Sequence, residues 1–138
     1  MEPTKITVST TVNAPVEKAW KAFTTPADIE KWNAAAETWH CPKAENDLQP
    51  GGKFTFVMAA KDGSFAFDFG GVYDDVKTNE LIAYTIGDGR KVVVSFEGNG
   101  DTTTVTEVFE AEGINPIEMQ QGGWQAILDS YKKHTESV

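Results

Sequence analysis

A series of short alternating segments between Lys53 and Ala111 constrains the fold of this chain more than any other feature. Within each segment, apolar and polar residues alternate, which is the period of a half-buried β-strand. Glycine-containing turns such as Lys61–Gly63 and Gly87–Gly89 separate the segments. Because short turns of this kind join antiparallel neighbours, we predict a meander of five strands over this region.

The segment that follows, Asn115 to Val138, has the period of one long helix. Its first residues fit a helix start with a capping box, in which Asn115 and Glu118 satisfy free backbone N–H groups. The predicted inward stripe consists of Ile117, Gln121, Trp124, Leu128 and Tyr131. Glycines 122 and 123 interrupt the helix at a cost of about 1 kcal/mol each relative to alanine. We expect them to permit a close approach to a strand or to leave a gap beside Trp124.

Before the meander, the chain is predicted to form one more strand and two short helices. Residues 6–12 alternate as a strand. Pro15 and the pair Thr25–Pro26 each mark the start of a helix. The next 20 residues, Asn33–Gly52, have no clear periodicity. A loop of that length commonly has a function or acts as a mobile flap.

These elements together predict an α+β fold. One helix cannot cover such a sheet unless the sheet curls around it. We therefore predict a single domain over residues 1–138, with a curved antiparallel sheet of about six to seven strands wrapped around the C-terminal helix. The two short helices after the first strand would close one end of the resulting cup.

Several stretches resemble the helix-grip, START-like superfamily, also called SRPBCC. Asn13–Trp20 is similar to its opening segment, and Gly71–Val76 with Leu81–Thr85 is similar to its central strands. Gly122–Asp129 resembles the final helix of the branch related to the C-terminal domain of the heat-shock-protein-90 ATPase activator. The resemblance implies a helix-grip fold with a cavity, between the sheet and the long helix, that can hold a hydrophobic molecule. The activator's co-chaperone role rests partly on a separate N-terminal domain, for which we expect no room in 138 residues.

Aromatic side chains are the main candidates for a binding site, because five of the eight phenylalanines lie between Phe54 and Phe69. Such side chains either line an apolar pocket, the usual form of a small-molecule site, or fill a solid core. The resemblance favours the pocket. The predicted lining is Trp20, Phe23, Trp32, Trp39, Phe54, Phe56, Met58, Phe65, Phe67, Phe69, Tyr84, Phe96, Phe109, Gln121, Trp124 and Leu128.

Few residues are candidates for catalysis. Glu107 shares a strand face with Val105 and Phe109. If that face points inward, desolvation raises the pKa of Glu107 and makes it a candidate for proton transfer or a polar anchor; if the opposite face points inward, Glu107 lies in water. His40 lies in the irregular segment, but no carboxylate stands at a spacing that would orient it, so we interpret it as structural. We interpret His134 as a solvated residue at a helix end.

Composition and spacing exclude several kinds of partner and chemistry. The net charge of −9 argues against nucleic acid and against anionic membrane surfaces. Cys41 is the only cysteine, which excludes an internal disulfide and fits a reducing compartment. No metal-ligand or phosphate-loop spacing is present, so we expect neither a metal nor a cofactor. With no secretory signal and no apolar run near ~18 residues, we expect a cytoplasmic monomer or weak homodimer.

The leading hypothesis is therefore a non-catalytic protein that binds a hydrophobic or aromatic small molecule. One alternative is a cyclase-like or dehydratase-like enzyme that uses Glu107 or His40 for acid–base catalysis. Another is a chaperone-linked or stress-response interaction protein, which would need a contiguous exposed apolar patch.

Overall fold

The structure is a computed structural model that describes residues 4–34 and 36–137. Within these residues, the elements follow the order β1 (Lys5–Val12), α1 (Val16–Thr24), α2 (Pro26–Trp32), β2 (Trp39–Asn46), β3 (Lys53–Ala60), β4 (Ala66–Lys77), β5 (Leu81–Ile86), β6 (Lys91–Asn99), β7 (Thr102–Glu110) and α3 (Ile117–Ser137). The strands form one antiparallel sheet in the order β1-β7-β6-β5-β4-β3-β2. The sheet curls as a half-barrel against α3, which confirms the predicted α+β helix-grip fold.

Alternation along β6 and β7 determines what faces the helix. Valines 92 and 94 and Phe96 are buried on β6, and Val105, Glu107 and Phe109 are buried on β7. The antiparallel register pairs Val94 with Glu107, and Glu107 pairs with Val8 on the other side. Glu107 therefore lies on the concave face, between two valines, rather than in water.

The interpretation of Asn33–Gly52 as an irregular loop is wrong, because the segment contains β2, which pairs with β3. The register shifts between His40 and Lys43, where Pro42 has no N–H to donate to a ladder. Only Cys41 and Ala44 of this edge strand are buried. Because of the bulge and the exposed edge, apolar and polar residues do not alternate with a period of two along β2. The predicted meander therefore lacks this strand.

Gly71 is required by packing within the sheet. The β3–β4 ladder runs without interruption through Gly70 and Gly71, and the register shift in β4 lies instead between Tyr73 and Asp75. A Cβ atom at position 71 would collide with the backbone carbonyl oxygen of Thr85. The two glycines therefore permit a close approach of the neighbouring strands, and the irregularity of β4 lies outside them.

The inward face of α3 is partly different from the predicted stripe. Ile117 and Gln121 are exposed, whereas Gln120 is buried together with Leu128 and Tyr131. The side-chain amide of Gln120 accepts a hydrogen bond from the Glu112 N–H (2.9 Å) and donates to the Asn115 carbonyl (2.8 Å). A buried glutamine satisfied in this way gives no apolar signal, which is why the predicted stripe began on the wrong residues.

Two further expectations about α3 are corrected, and one of the two explanations for its glycines is excluded. The described hydrogen bonds of Asn115 do not form a capping box; its backbone N–H and its side-chain amide both donate to Glu112 Oε1, at 2.6 and 2.7 Å. His134 is not a solvated helix end, since its side chain is 11% exposed and its Nε2 lies 2.9 Å from Asp28 Oδ1. Added Cβ atoms at Gly122 and Gly123 would meet nothing within 4 Å, so neither glycine permits a close strand contact.

Five aromatic rings fill the end of the concave face that α1 and α2 cover. This helical-end cluster consists of Trp20, Phe23, Trp32, Phe96 and Tyr131, with ring centroids in contact at 5.1 to 5.4 Å. Its polar atoms are satisfied, because the Tyr131 hydroxyl donates to the Ala19 carbonyl (2.6 Å) and the Trp32 Nε1–H to the Ala22 carbonyl (2.9 Å). Among the helices of the described residues, none is long and apolar enough to cross a membrane.

Candidate functional site

A pocket of about 370 Å³ lies between the sheet and α3, beside the helical-end cluster. Its volume lies within the roughly 300–1,000 Å³ of ordinary small-molecule sites. Nine of the predicted lining residues do line it: Phe23, Trp32, Phe54, Phe56, Met58, Phe67, Phe69, Tyr84 and Trp124.

The strands and α3 give the pocket its aromatic walls. Alternation on β3 places Phe54 against Tyr84 of β5, with ring centroids 5.0 Å apart and edge to face. Phe69 of β4 meets Trp124 of α3 in the same manner at 6.2 Å. Trp124 is held in place because its ring stacks on Phe109 at 3.9 Å with an angle of 11°. The rings are therefore positioned by one another, with space left between them.

The other seven predicted lining residues lie outside the pocket. Trp20 and Phe96 belong to the helical-end cluster. Phe109 and Leu128 are 1% exposed and lie in the packed core behind Trp124. The remaining three are nearer the surface: Trp39 and Phe65 contact each other beside the β3–β4 turn, and the exposed Gln121 donates to the Thr7 carbonyl.

Of the acidic side chains among the described residues that line this pocket, Glu107 is the buried one, and it is 7% exposed. It forms no hydrogen bond or ion pair within residues 4–34 and 36–137. Every fully buried polar side-chain atom of those residues has a partner, so the unpaired Glu107 oxygens border the pocket. Burial raises the pKa of Glu107 from 4.5 to about 8, because the charged form is poorly solvated there. At neutral pH the carboxyl group is therefore mainly protonated.

Tyr84 lies close enough to Glu107 for the two acids to influence each other. Burial, and then the charge of Glu107, raise the pKa of Tyr84 well above its usual value. Its hydroxyl group also forms no hydrogen bond within the described part of the chain. Glu107 and Tyr84 are thus two neutral acids that line one apolar pocket.

Arg90 and Glu112 lie where this pocket meets a second, outer pocket of about 270 Å³. Trp124 and Ile127 also line both pockets. The Arg90 guanidinium is already paired, since its Nε donates to Asp88 Oδ2 at 2.8 Å. The outer pocket thus adjoins the first one beside the first turns of α3, and its lining is partly polar.

The pocket contains several residues that pattern reasoning missed. They come from helices, strands and connecting segments: Thr24, Asn33, Tyr73, Ile82, Arg90, Glu112 and Ile127. Tyr73 and Ile82 could have been found, since each continues the inward alternation of a predicted strand. Arg90 follows a turn and Glu112 follows the end of β7, and neither carries a periodic signal.

Neither His40 nor Cys41 belongs to the site. His40 is exposed on β2 and lines neither pocket. Cys41 is buried, and this burial raises the pKa of its thiol to about 11, which leaves it unreactive at neutral pH. Within the described ranges, no group of three His, Cys, Asp or Glu side chains is arranged to hold a metal ion.

Solved structures of bacterial proteins share this architecture. The AHSA1-like protein from Aeromonas hydrophila is 39% identical with a TM-score of 0.92, and the match covers 97% of this chain and 93% of that one. A protein from Cytophaga hutchinsonii is 61% identical with a TM-score of 0.83, covering 96% and 92%. A protein from Chromobacterium violaceum is 25% identical with a TM-score of 0.86, covering 97% and 99%.

Sequence comparison identifies the family. No curated protein matches the chain. The model of the family described as "Activator of Hsp90 ATPase homolog 1-like protein" matches residues 13–136. Because this match spans most of the chain and the fold agrees, the protein belongs to the family of Activator of Hsp90 ATPase homolog 1-like proteins, within the START-like superfamily.

Proposed function

We propose that this protein binds a hydrophobic or aromatic small molecule in the pocket between the sheet and α3. The observation that carries the proposal is the pocket of about 370 Å³, lined mainly by aromatic and aliphatic side chains. Water in such a space has few hydrogen-bond partners, so its replacement by an apolar ligand is favourable. The family supports the proposal, because proteins of this fold typically bind ligands.

The geometry of the rings favours a flat ligand. Phe54 meets Tyr84 edge to face, and Phe69 meets Trp124 in the same manner. An aromatic guest between such rings gains edge-to-face or offset-stacked contacts in addition to its buried area.

A pocket-filling variant tests the proposal. Ile127 is half-buried on α3 and lines the pocket, whereas Val93 is 40% exposed on β6. Ile127→Trp should abolish binding of naphthalene-sized ligands, and the matched Val93→Trp should leave it unchanged. Amide chemical-shift titrations with a panel of naphthalenes, flavonoids and fatty acids would measure this. If no ligand binds the wild-type protein, or if Ile127→Trp binds equally well, the proposal is wrong.

A second candidate function is proton transfer on a bound ligand, and Glu107 favours it. A carboxyl group with a pKa of about 8 inside a pocket can donate or accept a proton near neutral pH. The exposed His40 has no role in this second candidate function. Exchange of an α-hydrogen of a bound ketone for deuterium would detect the activity. The activity should disappear in Glu107→Gln while binding persists, and equal exchange in both proteins would refute the role of Glu107.

A further inference from the structure

Two polar groups in the pocket have no hydrogen-bond partner among residues 4–34 and 36–137. The Glu107 carboxyl group is 7% exposed and lies between Val8 and Val94, and its oxygens border the cavity. The Tyr84 hydroxyl group lines the same cavity and is likewise free of hydrogen bonds within the described residues. These oxygens are open to the cavity rather than enclosed by the protein, so a molecule inside the cavity can supply their hydrogen bonds.

Both groups act as hydrogen-bond donors at neutral pH. Burial raises the pKa of Glu107 to about 8 and that of Tyr84 well above its usual value, so both carry their protons. The third acid near Glu107, Tyr131, is not available, because it already donates to the Ala19 carbonyl. Two donors therefore face a largely apolar space, and neither is bonded to an acceptor of the described residues.

We propose that Glu107 and Tyr84 together form a two-donor site for one oxygen atom of the ligand, so that the ligand is a hydrophobic or aromatic molecule with a carbonyl or phenolic oxygen. The inference rests on the proposed binding function and specifies its ligand class. One oxygen has two lone pairs and can accept from both groups. The aromatic walls hold the carbon skeleton, and the two donors determine which end of the ligand points inward.

The charges around the pocket favour a neutral acceptor over a cation. A protonated amine would have to ionise Glu107, and Arg90 in the same lining raises the cost of a second positive charge. A carboxylate ligand would meet Glu112 beside Arg90, and Arg90 is already paired with Asp88. A carbonyl or phenol oxygen requires no change of charge in the pocket.

Three matched probes test the inference. The probes are 2-acetylnaphthalene, its analogue 2-isopropenylnaphthalene with CH₂ in place of the oxygen, and 1-(2-naphthyl)ethylamine as a cation. The ketone should bind about tenfold more tightly than the alkene, which is the effect of one net hydrogen bond. Its ¹³C carbonyl signal should move downfield on binding, since the two donors polarise the C=O bond.

Three variants assign the effect to the two residues. Tyr84→Phe and Glu107→Met should each lose most of the preference for the ketone and part of the carbonyl shift. Glu107→Gln should retain much of the preference for the ketone and much of the carbonyl shift, because the glutamine amide still donates a hydrogen bond. The amide spectrum and thermal unfolding of each variant report whether it remains folded, and all three variants should still bind the alkene.

Each failure has a distinct meaning. If ketone and alkene bind equally, or if the carbonyl shift survives in both Tyr84→Phe and Glu107→Met, the two-donor site is wrong while the binding function stands. If the amine binds most tightly and Glu107→Gln abolishes this, Glu107 acts as an anion and the inference is also wrong. If none of the probes nor any other hydrophobic ligand binds, the proposed function itself fails.

Discussion

The two ends of the concave face use similar side chains but pack them differently. Where α1 and α2 cover the sheet, the helical-end cluster fills the space with rings 5.1 to 5.4 Å apart. Where α3 supplies the helical cover through Trp124 and Ile127, a pocket of about 370 Å³ remains. Phe23 and Trp32 belong to both regions and form the wall between them. The amount of helical cover over the sheet, and not the type of side chain, therefore decides which end of the concave face is packed core and which end is a cavity.

The two ends of the concave face also differ in the hydrogen bonding of their polar side-chain atoms. At the filled end, Tyr131 and Trp32 donate to backbone carbonyls of α1. In the pocket, Glu107 and Tyr84 have no such partners within the described residues. Their oxygens are open to the cavity, so this pair marks the region where a molecule from outside is expected to supply the hydrogen bonds.

The largest predicted effect compares one phenylalanine from each end. Phe96→Ala removes a ring from the filled cluster and should lower the free energy of unfolding by about 3–5 kcal/mol. Phe69→Ala removes a half-buried ring that already borders empty space, so we expect less than half of that loss. Urea denaturation at neutral pH would measure both. Equal losses would show that the two ends are packed alike.

The next prediction concerns pH and Glu107. Its pKa in the folded state, about 8, exceeds the ordinary value of 4.5, so the folded protein binds the proton more tightly than the unfolded chain. The contribution of this group to stability is therefore greatest below pH 4.5 and is lost as pH rises through about 8. Relative to Glu107→Gln, the wild type should lose about 2–4 kcal/mol across that window.

The control for this pH effect is the exposed Glu97 on β6. Glu97→Gln should show the same pH dependence of unfolding as the wild type. Parallel stability curves for the wild type and Glu107→Gln between about pH 5 and 8 would contradict the buried, unpaired state of Glu107.

The smallest effect on stability is predicted for the two glycines of α3. Added side chains at Gly122 and Gly123 meet nothing within 4 Å, so leucine at either position should raise stability by up to about 1 kcal/mol through helix propensity. Gly123 lines the outer pocket, whereas Gly122 is exposed and does not. Only Gly123→Leu should therefore weaken binding of 2-acetylnaphthalene. Equal affinities in Gly122→Leu, Gly123→Leu and the surface variant Lys132→Ala would show that the outer pocket takes no part in binding.

Much of the fold could be predicted from the sequence, because most strands have one buried face and regular alternation. The exception is β2, whose bulge at Cys41–Pro42 and exposed edge remove that period. On α3, the phase of the inward stripe was misread because the buried Gln120 is polar. Alternation and helical periodicity show which face of a strand or helix points inward. They do not show where along that face a covering element is missing.

The candidate site was therefore only partly predictable. Alternation placed Phe54, Phe69 and Tyr84 on the inner face of the sheet. It placed Phe96 and Phe109 on the same face, although these two residues lie in packed core. The orientation of Glu107 stayed open in the sequence, since both faces of β7 carry residues compatible with burial. Pairing of Glu107 with Val8 and Val94 in the sheet resolves it.

The indole N–H signals of the four tryptophans test the central contrast most directly. In a ¹⁵N–¹H titration with 2-acetylnaphthalene, Trp124 should shift most, because it lines both pockets. Trp32, on the dividing wall, should shift less, and Trp20 in the filled cluster and Trp39 beside the β3–β4 turn should not move. Shifts of similar size at Trp20 and Trp124, or no shift at Trp124 with saturating ligand, would contradict a filled end beside a ligand-binding pocket.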